Sequence, residues 1–400
     1  MVSQGMVPSD GGITYQPSIY SAAVALQRLY TEENLELFQA IVCLSMLRYA
    51  RDYLDPATYA RAHEIDGTPD LKAAADYMTG RARVLTERAY ADAYITPEQR
   101  EMVLALVEEY KQTLAERMRN CGWLSEESRN RAAEKAMAIR TVLVVSEDRL
   151  DYAPLLEKLS AGSPSLLQAA AWYDQADRQM LLRLAGKPYD RSHRILFDNS
   201  MLDANGIYEP SRNTIYLMAG ILMKEFCNPA SRETLLAGIG QTIGHEISHG
   251  FDPNGVQFDK VGEYNPVLTE EDQPKHRERV QRLVDGMSRI ELADGVHVDG
   301  NHVIHEAAAD LLGFRLTLDL AAKTEGFDYD LFFREFAMKY YRSFQNRERA
   351  LEDYNGNYHP ACYVRVNFTV AQQDEFYRTY PAVTEGTAMY YAPADRVCIW

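Results

Sequence analysis

Residues 238–252 read GIGQTIGHEISHGFD, and they hold His245, Glu246 and His249. On a helix the i, i+4 spacing puts both imidazoles on one face, where two ring nitrogens can grip a zinc ion. Glu246 then lies about 100° round the helix, beside the metal. A carboxylate there can take a proton from water activated by the metal and pass it to a leaving amine. Leu235, Ile239, Ile243 and Ile247 supply a core-facing stripe, while Gly238 and Thr242 continue the histidine stripe upstream with small side chains. The competing reading is a surface helix with two chance histidines.

A zinc site of this kind needs a third protein ligand and one open position. The extended pattern HExxHxxGxxH is excluded, because Asp252 and Gly255 stand where its Gly and His belong. Downstream candidates are Glu270, Glu271, His276, Glu291, His297, His302, His305 and Glu306. Glu306 is preferred because HVIHEAAADLLGF, residues 302–314, is a helix almost saturated with apolar residues and alanine. Acidic Glu306 and Asp310 at i, i+4 are costly there unless buried for a purpose. Asp310 is expected to bond the far nitrogen of one ligating histidine and Asp252 that of the other. His305 is the rival ligand, and a solvated stripe of Glu306, Asp310, Gly313 and Thr317 is the alternative for the pair.

The rest of the 400-residue chain fits an α+β protein, predominantly helical. From Pro17 to about Ile139 apolar residues return every three or four positions, as in LELFQAIVCLSMLRYARDYL (35–54). Pro97 is expected to open a helix capped by Thr96, and Ser125 to cap another with half a capping box. A strand is expected in TVLVVSEDRL (141–150), a linker at LSAGSPS (159–165), and a domain boundary near residue 145. That gives a partial helical domain over 1–145 and a catalytic domain over 146–400. In the latter, β-like runs RILFDN (194–199), GIYEP and RNTIYLM join helices over roughly 231–250, 268–288, 303–322, 328–345 and 369–379.

Composition excludes several classes. A formal charge of -16, from 42 basic and 58 acidic residues, disfavours nucleic acid and anionic membrane as partners. No uninterrupted apolar run is long enough to span a bilayer. Cys43, Cys121, Cys227, Cys362 and Cys398 are odd in number and widely spaced, which suits neither a disulfide framework nor a CxxC metal site. A reducing compartment fits best, although a chain trimmed of a secretory signal would read the same.

With HEISHGFD, HEAAAD and the C-terminal pattern in view, the chain resembles the neprilysin and endothelin-converting-enzyme family of zinc endopeptidases. The family's ExxxD helix corresponds to Glu306 and Asp310, its N-A-F/Y-Y strand to Asn205-Gly206-Ile207-Tyr208, and its RNxIxxPAGIL to RNTIYLMAGIL (212–222). WLSEESRNRAAEKAMAI (123–139) resembles a family segment that precedes the catalytic domain. His359-Pro360 and Arg365 resemble its H-x-P-x-x-R segment, with Pro360 one position early.

The resemblance implies a thermolysin-like catalytic domain under a partial helical lid, with one zinc ion per chain on His245, His249 and Glu306. It implies a catalytic group of Glu246, His359 and Asp310, with His359 at the oxyanion. Asn205 and the backbone of Gly206 would hold an extended peptide, and Arg365 a substrate carbonyl. The pocket for the residue after the scissile bond, usually apolar, would here include Gln241 and Thr242. Ile221 and Phe226 would keep part of it apolar, with plain core packing as their alternative. Most of the first half of the family's lid is lacking, which leaves a fragment, a partner chain supplying those helices, or an enzyme with an open site; a partner chain or self-association is expected. Two other functions stay open: a catalytically silent peptide-binding or scaffold subunit, and a maturation protease for one peptide.

Overall fold

The computed structural model describes residues 31–50, 57, 61, 83–145, 152–184, 199–293, 295–340 and 358–400. Its helices and strands, in chain order, begin with α1 (Leu35–Ala50), α2 (Arg83–Tyr94), α3 (Pro97–Arg119), α4 (Glu126–Ala138), β1 (Arg140–Leu143), α5 (Ala153–Ser160) and α6 (Leu166–Leu184). There follow β2 (Gly206–Glu209) and β3 (Thr214–Leu217). Next comes α7, in which Arg232–Leu235, a π segment Leu236–Gly240 and Gln241–Ser248 run on without a break. The last are α8 (Asp272–Ser288), β4 (Glu291–Ala293), β5 (Val296–His297), α9 (Ile304–Ala321), α10 (Tyr329–Lys339), α11 (Cys362–Ala371) and α12 (Asp374–Thr379).

The expected caps are present. Thr96 Oγ1 accepts from Gln99 N–H at 3.1 Å and Ser125 Oγ from Ser128 N–H at 3.3 Å, each satisfying an orphan donor of its helix. The helix expected over 369–379 is instead two, α11 and α12. The break falls at Gln372 and Gln373, and the Gln372 side chain accepts Val397 N–H at 2.9 Å. Of RILFDN, residues 194–198 lie outside the described residues, as does the end of the helix expected to reach 345.

The chain forms two compact units, Met1–Thr86 with Glu147–Asp198, and Glu87–Ser146 with Asn199–Trp400. One cut between them, after Ser146, falls at the boundary expected near residue 145, and the other two fall after Thr86 and Asp198. In the first unit Tyr152 and Leu155 form a small core with Leu159, Trp172 and Tyr173. LSAGSPS joins α5 to α6 within this unit rather than linking domains. No residue of α1 is buried, and it exposes Leu37, Ile41, Val42, Leu44, Met46 and Leu47.

In the second unit β1, β3 and β2 form a sheet in that order, β1 parallel and β2 antiparallel to β3. The strand expected after α4 therefore pairs with RNTIYLM, which ties α3 and α4 to this sheet. Gly206 faces Leu217 and Glu209 faces Thr214, leaving the outer side of β2 as a sheet edge. Leu235, Ile239, Ile243 and Ile247 are buried, as the stripe predicts. Helix α9 is the hub of the core: Phe314 is fully buried among the rings of Phe332, Phe333 and Phe336, 5.5, 6.0 and 4.6 Å away between centroids.

Helices α7 and α9 meet glycine to glycine. A Cβ added at Gly313 would stand 2.6 Å from the Gly244 carbonyl carbon and from His245 N. Neither position tolerates a side chain without pushing the helices apart, and their separation fixes how far Glu306 and Asp310 reach. One face of α9 supplies all the contacts. Thr317 Oγ1 donates to Gln241 Oε1 at 3.1 Å and lies 2.8 Å from the Tyr110 hydroxyl of α3. The stripe of Glu306, Asp310, Gly313 and Thr317 is thus pressed on α7, not solvated.

Candidate metal centre and cleft

His245 lies on α7 and His249 in the 3-10 turn His249–Phe251 that continues it. Their Nδ1 atoms face carboxylates: Asp310 Oδ1 is 2.8 Å from His245 Nδ1, and Asp252 Oδ2 is 2.9 Å from His249 Nδ1. Asp252 is itself fixed by Asn254 N–H at 2.7 Å and Gly255 N–H at 2.6 Å on its other oxygen. Burial alone would raise the Asp252 pKa, but these bonds and the histidines beside it hold it down at about 2. Each ring that gives its Nδ1–H to a carboxylate presents a bare Nε2 lone pair.

Those lone pairs converge. The two Nε2 atoms stand 3.1 Å apart, with Glu306 Oε2 3.2 Å from His245 Nε2 and Glu306 Oε1 3.7 Å from His249 Nε2. Ligands about 2.05 Å from a tetrahedral zinc are roughly 3.3 Å from one another. Glu306 Oε2 is buried without a hydrogen bond, although ring nitrogens stand 3.2 and 2.9 Å from it. A cluster of acceptors with no aligned proton fits a divalent cation. Without a metal a proton takes its place: burial opposes charge on His245, but Asp310 and Glu306 outweigh it and raise its pKa to about 10.

His359 Nε2 approaches Glu306 Oε2 at 2.9 Å, and with His245 it forms another triad whose donor atoms lie within 4.8 Å of one another. The His249 ring is locked by Asp252, whereas the His359 side chain is 43% exposed at the mouth of the site. His305, the rival ligand, turns away to Asp252 at 3.5 Å.

Glu246 is buried beside His245. A Cβ at Gly206 would come within 2.7 Å of Glu246 Cγ, so the bare backbone there makes room for the carboxylate. Asn205 Oδ1 accepts Gly206 N–H at 3.0 Å. Both residues line a cleft of about 570 Å³ with His245, Glu246, Glu306 and His359. Arg365, expected on a substrate carbonyl, forks onto Asp310 at 2.7 and 2.5 Å. The guanidinium holds the Asp310 carboxyl well below the usual range despite its burial.

None of the four expected pocket residues lines this cleft, and Thr242 instead accepts from Lys339. Gln241 is buried on Thr317, Ile221 is buried in a 3-10 turn, and the Phe226 carbonyl packs where Gly238 lacks a Cβ. Gln241 leaves the pocket because α7 turns about 100° per residue, which carries it to the α9 side while Thr242 stays partly exposed.

Two lysines escape a reading by motif. Lys135 of α4 is fully buried and donates to the carbonyls of Gly255 at 2.6 Å and Phe258 at 2.7 Å, bracing the loop that carries Asp252. Burial pushes its pKa down to about 7, with Asp252 and Asp259 opposing. The available signal was its place on the Ala132–Ala136 face. Lys339, at the end of α10, donates to Thr242 Oγ1 at 2.7 Å.

Two models of peptidase family M13 match the chain, one over residues 205–397 and one over residues 2–144. The chain belongs to peptidase family M13. Among M13 relatives it is 28% identical over 366 residues to the neutral endopeptidase of Lactobacillus helveticus, covering 89% of this chain and 54% of that protein. It is 27% identical to that of Lactococcus lactis subsp. lactis strain IL1403, over 98% of this chain and 62% of the relative. Human neprilysin is 28% identical over 65% of the chain and 35% of its own length. The crystal structure of PEPO from Lactobacillus rhamnosis HN001 superposes with a TM-score of 0.72 at 25% identity, covering 93% of this chain and 59% of that one. The open-state structure of the Mycobacterium tuberculosis zinc metalloprotease ZMP1 shares the fold, with a TM-score of 0.77 at 23% identity. The chain spans between half and two thirds of the bacterial M13 relatives it matches.

Proposed function

We propose that this chain is a zinc metalloendopeptidase that cuts short peptides, with the metal on His245, His249 and Glu306 and Glu246 as general base. The observation that carries it is the convergence of two carboxylate-oriented Nε2 atoms and Glu306 next to a buried Glu246. Zinc bound there supplies a Lewis acid that brings the pKa of water toward 7. Glu246 takes the proton of the attacking water and delivers it to the departing amine. His359, at the exposed mouth, donates to the developing oxyanion. Asp310 and Asp252 keep the ligand rings in one tautomer, and Arg365 clamps Asp310. The edge of β2 receives the peptide backbone as an added strand, with Asn205 at its start. The retained Glu246 speaks against a silent scaffold. Digestion of a mixed peptide library by the zinc-loaded chain and by Glu246→Gln, read by mass spectrometry, tests this. Products lost in the variant support it, and equal products from both would defeat it.

We further propose that the chain works as an assembly, either with a partner chain or with a second copy. The exposed apolar side chains of α1 support association. Among the described residues no helix is long and apolar enough to cross a membrane. All five cysteines are unpaired, which agrees with the bacterial cytoplasm as the place of action.

A further inference from the structure

Among the described residues Lys339 hydrogen-bonds only neutral groups. Its Nζ donates to Thr242 Oγ1 at 2.7 Å and to the Gly238 carbonyl at 3.1 Å, and no carboxylate of the described residues pairs with it. It shares the Tyr340 ring with another cation: Lys339 Nζ lies 5.4 Å and the Arg365 guanidinium 5.0 Å from the ring centre. Asp310 is already committed to Arg365 and His245. Burial, with Arg365 adding to it and Asp310 and Glu246 opposing, pushes the Lys339 pKa down to about 7.

Its position gives that deficit a use. Thr242 precedes Glu246 by four residues, so the two lie on one helix face about one 5.4 Å turn apart. An extended peptide advances about 3.3 Å per residue. A residue adjoining a scissile bond at Glu246 therefore stands about one helical turn from Thr242, the residue that the ammonium bonds.

We propose that Lys339 recognises a carboxylate of the bound peptide next to the scissile bond, giving this peptidase a preference for acidic peptides. The carboxylate comes from an Asp or Glu side chain or from the peptide's own C-terminus. The inference rests on the peptidase reading above. A purely structural role, bracing α10 against the π segment of α7, would affect folding but not choice of substrate.

The test compares peptides with Glu or Gln at each position flanking the cut, and short peptides with a free or amidated C-terminus, on the zinc-loaded chain. A charge-assisted contact predicts about tenfold faster cleavage of one acid form over its neutral twin. The ratio falls to about one in Lys339→Met and survives in Lys339→Arg. A gain confined to the free C-terminus supports the proposal with that source of carboxylate. A ratio near one in the unaltered chain overturns it, as does an unchanged ratio in a Lys339→Met chain whose melting temperature has dropped. Binding of the same labelled peptides to zinc-loaded Glu246→Gln is read by fluorescence anisotropy. Lys339-dependent binding without cleavage by the unaltered chain would defeat the peptidase reading and leave the recognition, and neither binding nor cleavage would end both.

Discussion

Helix α1 and the crossing of α7 with α9 reverse the usual distribution of side chains in opposite ways. The first carries Leu37, Leu44, Met46 and Leu47 into solvent, and the second buries His245, Glu246, Asp310 and Thr317. Each departure is costly in isolation, because exposed apolar surface forgoes burial and buried polar groups forgo water. At the crossing the cost is offset within the unit: His245, Asp310 and Thr317 each have a partner, and the unmatched acceptors fit one cation. At α1 nothing among the described residues offsets it, which the proposed association would do.

The sharpest way to break the buried half of this comparison is Glu246→Gln. Cleavage should fall about 10²- to 10⁴-fold, the usual worth of a general base, with zinc retained by atomic absorption. Loss of zinc as well would mean that Glu246 is a ligand rather than the base.

Next in size, Asp252→Asn should weaken zinc binding about 10- to 100-fold, since the His249 ring loses its orienting carboxylate. Because the folded pKa of Asp252 is depressed to about 2, the stability it contributes is present above its ordinary pKa near 3.8 and is lost as pH falls through 2. That contribution is on the order of 2 kcal/mol, so the stability gap between the native chain and the variant should close between pH 4 and pH 2 in acid titrations followed by circular dichroism. A gap independent of pH would locate the effect elsewhere.

Gly313→Ala then probes the crossing itself. A methyl group 2.6 Å from the backbone of α7 should cost about 1–3 kcal/mol by denaturant titration and weaken zinc binding, because Glu306 moves with α9. The smallest effect belongs to α1. Leu44→Lys with Leu47→Lys should change stability by no more than about 0.5 kcal/mol while reducing association in light scattering toward the 45.5 kDa of one chain. A native chain that already runs as a monomer in the absence of a partner would leave a separate chain as the occupant.

Much of the metal centre was legible because it is local. His245, Glu246 and His249 sit within two turns of one helix, and Glu306 and Asp310 within two turns of another, so periodicity alone places each set on a face. The caps at Thr96 and Ser125, and strands β2 and β3, were legible for the same reason. Gln241 was not: its neighbours in sequence suggest the pocket, but its partner Thr317 lies 76 residues away. Lys135 reads as a surface lysine in RAAEKAMAI, and only the packing of α4 on the loop after His249 makes it a buried donor. The break between α11 and α12 came from the Gln372 side chain reaching Val397, another long-range bond.

The sequence by itself thus determined the chemistry available, two imidazoles, three carboxylates and the helices that carry them, because helical geometry is fixed within a few residues. Tertiary structure alone decided what that chemistry meets. The Gly244–Gly313 contact sets the distance between two helices, and with it the 3.1–3.7 Å spacing of the acceptors. Distances across helices depend on close packing, which no local pattern encodes.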